Sequence, residues 1–272
     1  MLTVRAASRL AGYCARGRGV RREDARRVGN QRTDIMKLLV ASTPLTGHLN
    51  PLLAITRILL AEGHEITFLT GSAFRARIES SGAKFVSLPG RADFDARDPF
   101  SVAPELKDIP PGLEWLRVAL ERIFVDPVPA QHQGLLQVLQ EYQADVIVGD
   151  DMFFGVLPML LGPRSKRPPV VLCGTSILHW PREDGAPLFL GLPPATTEEQ
   201  RRQYADIARE YDEAVDQPTL LRLNKALNIL GVGPTSMTLF HSTVGLADAY
   251  LQLSVPGNGR TPGRRHSRRH TV

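Results

Sequence analysis

One histidine and two adjacent aspartates occupy positions where this sequence could carry out acid–base chemistry. His48 follows the first strongly apolar segment of the chain, and Asp150 and Asp151 follow another. An imidazole with an ordinary pKa of about 6.5 can accept a proton near neutral pH. A buried carboxylate on its other ring nitrogen would fix the tautomer and stabilise the imidazolium. Such a pair suits removal of a proton from a hydroxyl group, although a loop histidine or a strand-end aspartate is often only structural.

Short apolar segments alternate with helical patterns between about residues 36 and 257, and this order predicts an α/β fold. Strands are predicted at 36–42, 65–70, 84–88, 145–150, 169–174 and 249–253. Helices are predicted at 51–62, 72–78, 113–124, 134–142, 153–161, 197–215 and 219–230. In this reading Asn50 caps the first helix, and Pro51 takes its first position. The connections are short, which favours a Rossmann-like, doubly wound parallel sheet.

Ligands of open parallel sheets bind beyond the carboxyl ends of the strands. His48 and the two aspartates lie at such ends, and they come together if the first and fourth strands are neighbours. The turn 43–48 has no Gly-x-Gly-x-x-Gly pattern, and the chain has no Walker-type Gly-Lys-Ser/Thr segment. The glycine-lined modes of nucleotide binding are therefore not expected here.

The net charge of +5 does not describe the folded part of the chain. Residues 1–34 contain nine Arg and three acidic residues, and residues 258–272 contain five Arg and no acidic residue. The middle of the chain is therefore mildly acidic, which argues against nucleic-acid binding by the folded domain. No run of about 18 apolar residues predicts a membrane span. With Cys14 and Cys173 as the two cysteines, a cytoplasmic location is expected.

The two basic ends are predicted to lie outside the domain. Residues 1–35 are expected to be a disordered leader, either a transit-like segment or sequence upstream of a natural start at Met36. Residues 258–272 are expected to be a disordered tail that a frameshift could explain.

Several segments resemble one family of enzymes. The stretch GHLNPLLAITRILLAEGHEITFLTG, with a Gly-His-x-x-Pro pattern at 47–51, is similar to the N-terminal, acceptor-binding domain of family-one, nucleotide-sugar-dependent glycosyltransferases. These include macrolide and plant natural-product enzymes, which have two Rossmann-like lobes in the GT-B arrangement. VIVGDDMFFG resembles the Asp-x-Phe segment of the family, with Asp151 as its acid. VVLCGTSIL and ADAYLQLSVPG resemble later segments, so the likeness covers nearly all of 36–257.

The resemblance implies an inverting transfer of a hexose to a hydroxylated small molecule, and aromatic residues in or near the loops, such as Trp180 and Phe189, predict that this acceptor is lipophilic. His48 would be the general base and Asp151 its partner, while Asp150 would only cap a helix. The co-substrate would be a UDP- or dTDP-sugar, with no other cofactor and no metal. The resemblance and the loop positions together give an expected set of cleft residues: Thr46, Gly47, Phe153, Phe154, Thr175, Ser176, Trp180 and Phe189.

The sequence departs from the family in one large respect. The family binds its nucleotide sugar mostly through a C-terminal lobe with a glycine-rich His-Cys-Gly segment, and these 272 residues contain no such segment. The chain is therefore expected to be a single lobe of a GT-B fold, nearly inactive alone. The alternative is a non-catalytic lobe that binds an acceptor or activates a partner.

Overall fold

The computed structural model describes residues 35–95 and 97–253. The predicted tail, Cys14, nearly all of the predicted leader and the last residues of the predicted domain lie outside this part. Within it, none of the helices is both long enough and apolar enough to cross a bilayer.

Six parallel strands form one sheet in the order β3-β2-β1-β4-β5-β6. Their bounds are Lys37–Ala41 (β1), Glu65–Thr70 (β2), Lys84–Ser87 (β3), Val146–Asp150 (β4), Val170–Gly174 (β5) and Ala249–Gln252 (β6). Strand β1 is central, since Val40 pairs with Phe68 of β2 and with Val148 of β4. The predicted doubly wound sheet is confirmed, and β1 and β4 are neighbours, which is the condition for His48 and the aspartates to come together.

Alternation along the strands divides the apolar core into two layers. Leu38 and Val40 of β1 face one layer, and Leu39 and Ala41 face the other. Cys173 of β5 lies in the first layer as a buried free thiol. The strands are apolar on both faces because helices cover both sides of the sheet. The cytoplasmic location stays a prediction.

Eight α-helices connect the strands of the described residues. They are Thr46–Ala61 (α1), Arg75–Glu79 (α2), Leu113–Ala119 (α3), Val128–Glu141 (α4), Leu157–Leu161 (α5), Glu198–Tyr211 (α6), Gln217–Ile229 (α7) and Leu239–Leu246 (α8). Two π-helical segments, Leu120–Val125 and Asp212–Asp216, follow α3 and α6. Helix α6 begins at a capping box, in which Thr197 accepts from the backbone of Gln200 and the Gln200 side chain accepts in return.

The predicted start of the first helix is wrong. Helix α1 begins at Thr46, so His48 lies in its first turn and Pro51 lies inside it. Proline at this place removes only the hydrogen bond that residue 51 would donate to the carbonyl of Gly47. Asn50 lies inside this helix rather than at its N-cap, and its Oδ1 accepts a hydrogen bond from Arg77 Nη2 at 2.6 Å.

Three other predictions of helices need correction. Helix α4 begins at Val128 rather than 134, because Pro127 and Pro129 lie at its N-terminus, where proline is tolerated. Gly71, not Ser72, precedes the short helical segment that leads into α2. Helix α8 was not predicted; it is only eight residues long and has no side-chain N-cap to mark its start.

Gly155 makes possible a close contact between the turn after β4 and helix α4. A Cβ at this position would overlap Gln131 Cβ and lie 3.0 Å from the backbone nitrogen of His132. The Gly155 amide also donates to Gln131 Oε1 at 2.8 Å. The chain after β4 therefore lies directly against α4.

We expect Gly155→Ala to lower the free energy of unfolding by about 1–3 kcal/mol, because the added methyl group forces α4 away from the turn. Denaturant unfolding monitored by circular dichroism measures this change. Gly233→Ala is the control, because a Cβ there has no neighbour within 4 Å. Equal stability of the two variants would contradict the expectation.

Candidate active site

Three loops meet at the carboxyl edge of the sheet. They follow β1, β4 and β5, which are neighbours in that order. The first carries His48 into α1, the second carries Asp150 and Asp151, and the third begins at Thr175. Each side chain is thus positioned by the end of a buried strand rather than by a long flexible loop.

His48 is paired with Asp150. The distance from His48 Nδ1 to Asp150 Oδ1 is 3.0 Å, and the side chains are 13% and 0% exposed. The prediction that Asp151 makes this contact is wrong. Consecutive residues of extended chain point in opposite directions, so Asp150 faces α1 while Asp151 faces the side of β5 and β6.

Protein donors surround the carboxylate of Asp150. The Thr43 amide donates to Oδ2 at 2.7 Å, the Met152 amide donates to Oδ1 at 2.9 Å, and the Thr43 hydroxyl donates to Oδ1 at 3.3 Å. Backbone N–H donors stabilise the charged form of a buried carboxylate and offset its loss of hydration. Asp150 can therefore act as a fixed acceptor for the proton on His48 Nδ1.

The pKa of His48 is raised above its ordinary value. Burial alone would lower this pKa, but the charge of Asp150, the hydrogen bond to Asp150 and the charge of Asp151 outweigh burial. With Nδ1–H donated to Asp150, the lone pair of the neutral ring lies on Nε2. No hydrogen bond within the described residues involves Nε2, and this atom is the one that could accept a proton from a ligand.

Asp151 is the centre of a second polar cluster on the other side of β4. Its Oδ1 accepts from the amide and from the hydroxyl of Thr175, both at 3.2 Å. Its Oδ2 accepts from the Tyr250 hydroxyl at 3.1 Å and lies 3.3 Å from His179 Nδ1. The Asp151 and His179 atoms are close enough for an ion pair, but they are not aligned as a hydrogen bond.

The pKa of Asp151 is lowered despite burial, which by itself would raise it. Contact with His179, the Thr175 amide and the charge of His48 together favour the ionised form. Burial and the neighbouring Asp151 raise the pKa of Tyr250, so its hydroxyl keeps its proton and donates it. Asp151 is thus a buried, ionised group close to His48 but not in contact with it.

Most of the other predicted cleft residues lie at this edge. Thr46 and Gly47 are exposed in the first turn of α1, Thr175 is half-buried and Ser176 is exposed. Trp180 and Phe189 are 45% and 38% exposed in the loop after β5. All six residues lie in the segments that follow β1 and β5, and Thr175 is the one of them that hydrogen-bonds His48 within the described residues.

Phe153 and Phe154 do not line a cleft, and this prediction is wrong. Both side chains are fully buried. The Phe154 ring packs edge-on between Phe124 and Phe240, with centroid distances of 6.4 and 6.0 Å. The chain turns inward after Asp151, so these rings anchor the turn that presents the two aspartates.

Three residues of the site were not predicted from the sequence to serve it. They are Thr43, Tyr250 and Gln252, apart from His179, which contacts Asp151 as described above. Gln252 Nε2 donates to the Ser176 carbonyl at 2.7 Å. The sequence does contain a signal for Tyr250 and Gln252: they are two residues apart in the last strand, so their side chains lie on the same face of the sheet. No local pattern marks Thr43.

The nearest ligand atoms of His48, Asp150 and Asp151 lie within 4.8 Å of one another, a grouping that could hold a metal ion. Both oxygens of Asp150 already accept hydrogen bonds from Thr43, Met152 and His48. Protein donors therefore compensate the charge of this cluster. That the reaction requires no metal stays a prediction.

A cavity of about 550 Å³ lies beside the π-helical segment 120–125, and His48 does not line it. Its walls include Arg91, Asp126, Arg222 and Ile229. Phe124, from the same π-helical segment, contacts the His48 ring at a centroid distance of 6.3 Å. The candidate site is thus an open edge on this lobe rather than that cavity.

Comparison with known proteins gives relatives of one kind, although no family model matches the chain. UDP-glucosyltransferase B1 of Starmerella bombicola is 32% identical over 223 residues, covering 80% of this chain and 49% of the relative. UDP-glycosyltransferase 2 of Phaeomoniella chlamydospora is 33% identical over 226 residues. The 4'-demethylrebeccamycin synthase of Lentzea aerocolonigenes is 30% identical over 222 residues, covering 81% and 51%.

Solved structures show the same fold at lower identity. The glycotransferase of kitacinnamycin matches with a TM-score of 0.53 at 17% identity, covering 86% of this chain and 53% of that one. The calicheamicin glycosyltransferase matches with a TM-score of 0.50 at 17% identity, covering 80% and 48%.

The chain spans about half the length of the curated relatives it matches. The single sheet described above corresponds to one Rossmann-like lobe of such proteins. Over about four fifths of its length the chain is thus similar to about half of these UDP-glycosyltransferases, and its fold is that of a single Rossmann-like lobe.

Proposed function

We propose that this lobe binds a hydroxylated acceptor and activates its hydroxyl group for sugar transfer, with His48 as the general base. The observation that carries this proposal is the pairing of His48 Nδ1 with buried Asp150, which leaves Nε2 free at a partly exposed edge. A histidine held in this way accepts a proton on Nε2, and the carboxylate stabilises the imidazolium that forms.

In the proposed step the acceptor O–H bond breaks and its proton moves to His48 Nε2. The oxygen forms a new bond to the anomeric carbon of a nucleotide sugar. The bond from that carbon to the phosphate oxygen breaks on the opposite side, and the nucleoside diphosphate leaves with the bonding electron pair. The configuration at the anomeric carbon is therefore inverted.

The loop after β5 supports an acceptor with a lipophilic body. Five large apolar side chains of the loop after β5 are 37–48% exposed: Ile177, Leu178, Trp180, Phe189 and Leu190. Exposed apolar side chains in one loop favour an apolar ligand, since burying such surface contributes about 25 cal/mol per Å². We propose that this loop forms the acceptor side of the cleft.

The donor would be a UDP- or dTDP-sugar, and the relatives named above as UDP-glycosyltransferases support the UDP-sugar. We infer that its diphosphate binds chiefly to a second lobe, since these residues offer no glycine-rich phosphate loop. Tested alone, the chain would bind acceptor with little transfer. A non-catalytic lobe that binds an acceptor or activates a partner is the second candidate.

We expect Asp150→Asn to lower kcat/KM by about 10²-fold or more in a fusion of this chain with the donor half of one of these relatives. The Thr43 amide donates to Oδ2, whereas the Met152 amide and His48 Nδ1 both meet Oδ1. The Asn NH₂ group must therefore face at least one of these donors, and the charged acceptor that fixes the His48 tautomer is lost. His48→Ala removes the base and should cost about 10²–10⁴-fold.

Asp151→Asn is the matched comparison for Asp150→Asn, because it changes the next residue in the same chemical way. It should cost less activity, since Asp151 does not contact His48. An Asp151→Asn variant less active than Asp150→Asn would contradict the assignment. Transfer that survives His48→Ala would exclude His48 as the base.

The pH dependence should follow the raised pKa of His48. We expect the acid limb of kcat/KM to lie above the ordinary histidine pKa of about 6.5, because only the neutral ring is a base. The pairing should also stabilise the fold below about pH 6.5, and this stabilisation should fade as the pH rises through the raised pKa. An NMR titration of the His48 ring measures this pKa, and a midpoint below 6.5 would contradict the expectation.

Acceptor binding should be visible in the isolated chain through Trp180. The sequence has two tryptophans, Trp115 and Trp180. We expect 1-decanol to shift the tryptophan emission to shorter wavelength, because it would cover the exposed Trp180 ring. Trp115→Phe should keep this response and Trp180→Phe should abolish it. The opposite pattern would place the acceptor elsewhere on the lobe.

A further inference from the structure

The hydroxyl of Thr175 lies between the two polar clusters of the site. Thr175 Oγ1 is 3.1 Å from His48 Nδ1 and 3.2 Å from Asp151 Oδ1. Asp151 itself does not touch His48. Thr175 is therefore the one described residue that hydrogen-bonds both the imidazole and the second carboxylate.

Counting the protons fixes the direction of these hydrogen bonds. The Thr175 hydroxyl has one proton, and the Asp151 carboxylate can only accept it. The lone pairs of Thr175 Oγ1 then face His48 Nδ1, which must carry a proton. The reverse arrangement would leave a bare Nδ1 lone pair 3.0 Å from the Asp150 carboxylate, so two acceptors would repel each other. The whole network is consistent with a single tautomer of His48.

Strand β6 holds Asp151 in the place that Thr175 requires. The Tyr250 hydroxyl reaches Asp151 Oδ2 across β5, and this path exists because Gly174 has no side chain. A Cβ at Gly174 would overlap both the Tyr250 hydroxyl and Gln252 Oε1. Gln252 in turn holds the carbonyl of Ser176, the residue after Thr175. Strand β6 thus holds both Asp151, which accepts from the Thr175 hydroxyl, and Ser176, the residue that follows Thr175.

We propose that Thr175 is a positioning residue whose hydroxyl couples Asp151 to His48, so that two carboxylates rather than one control the base. This inference rests on the function proposed above for His48. Asp150 acts by direct contact and fixes the ring, whereas Asp151 acts through the hydroxyl that accepts from Nδ1–H. Loss of the hydroxyl removes one of two acceptors for that proton and leaves the imidazolium less stable.

The charged groups that act on His48 in the described residues are few. They are Asp150 and Asp151, both from the end of β4. Phe124, from the π-helical segment, contributes an apolar ring on the remaining side. A change in the pKa of His48 can therefore be attributed to this small set.

The test is an NMR titration of the His48 ring in the 272-residue chain, with Thr175→Val as the variant. This substitution keeps the side-chain shape and removes the hydroxyl, and we expect it to shift the titration of His48 to lower pH. Thr175→Ser should restore the parent midpoint. Thr56→Val is the matched control, because Thr56 is buried on α1, the helix that carries His48, and its hydroxyl has no partner. An unchanged midpoint in Thr175→Val would overturn the proposal.

A double-mutant cycle separates action through Thr175 from action through space. Asp151→Asn should shift the His48 midpoint less in the Thr175→Val background than in the parent chain. Equal shifts in both backgrounds would show that Asp151 acts by its charge alone and would overturn the coupling. Thr175→Ala, which also lacks the hydroxyl, replaces Thr175→Val if circular dichroism shows that the valine variant does not fold.

In the active fusion, Thr175→Val should lower kcat/KM about fivefold, the value of one hydrogen bond of about 1 kcal/mol. It should also move the acid limb of the pH profile downward, which a general loss of structure would not do. The NMR titration tests the coupling without any sugar transfer, whereas the activity of His48→Ala tests the role of His48 as the base. The coupling can therefore fail while His48 remains the base, and it can hold in a chain that transfers no sugar.

Discussion

The hydrogen bond between His48 and Asp150 is the interaction on which the site depends. It joins the loops after β1 and β4, and it exists because these strands are parallel neighbours whose carboxyl ends meet. A carboxylate with no solvent exposure must be compensated by other donors, and the amides of Thr43 and Met152 provide them. The aromatic anchors Phe153 and Phe154 then hold the aspartate turn against the core.

Which of the two adjacent aspartates contacts His48 is a question of strand geometry. Asp150 is the last residue of β4 and faces the start of α1, while Asp151 faces the strand on the other side. A sequence motif that includes both aspartates does not show which of them faces His48, because that depends on which face of the strand each side chain takes. The resemblance to a known family pointed to the second aspartate, and the register of the sheet favours the first.

The fold was predictable because its signals are physical and local. Strands that helices cover on both sides need apolar residues on both faces. The bounds predicted for the six strands therefore agree with the structure within one or two residues. The errors lie where tertiary contacts decide. Helix α1 starts before Pro51 because one missing hydrogen bond is tolerated in the early turns. The inward path of Phe153 and Phe154 depends on distant rings from α8 and from the segment 120–125, which no local pattern reveals.

The same two carboxylates also govern a residue that takes no part in the proposed reaction. Cys173 pairs with Asp150 in the sheet, and its pKa rises to about 12 because of burial and the charges of Asp151 and Asp150. Its thiolate is therefore scarce in the folded chain at neutral pH, and thiolate is the form that oxidants and alkylating reagents attack. The negative charge that keeps an imidazole basic thus makes the neighbouring sulfur chemically inert, and the lobe carries a cysteine that becomes reactive only when the sheet opens.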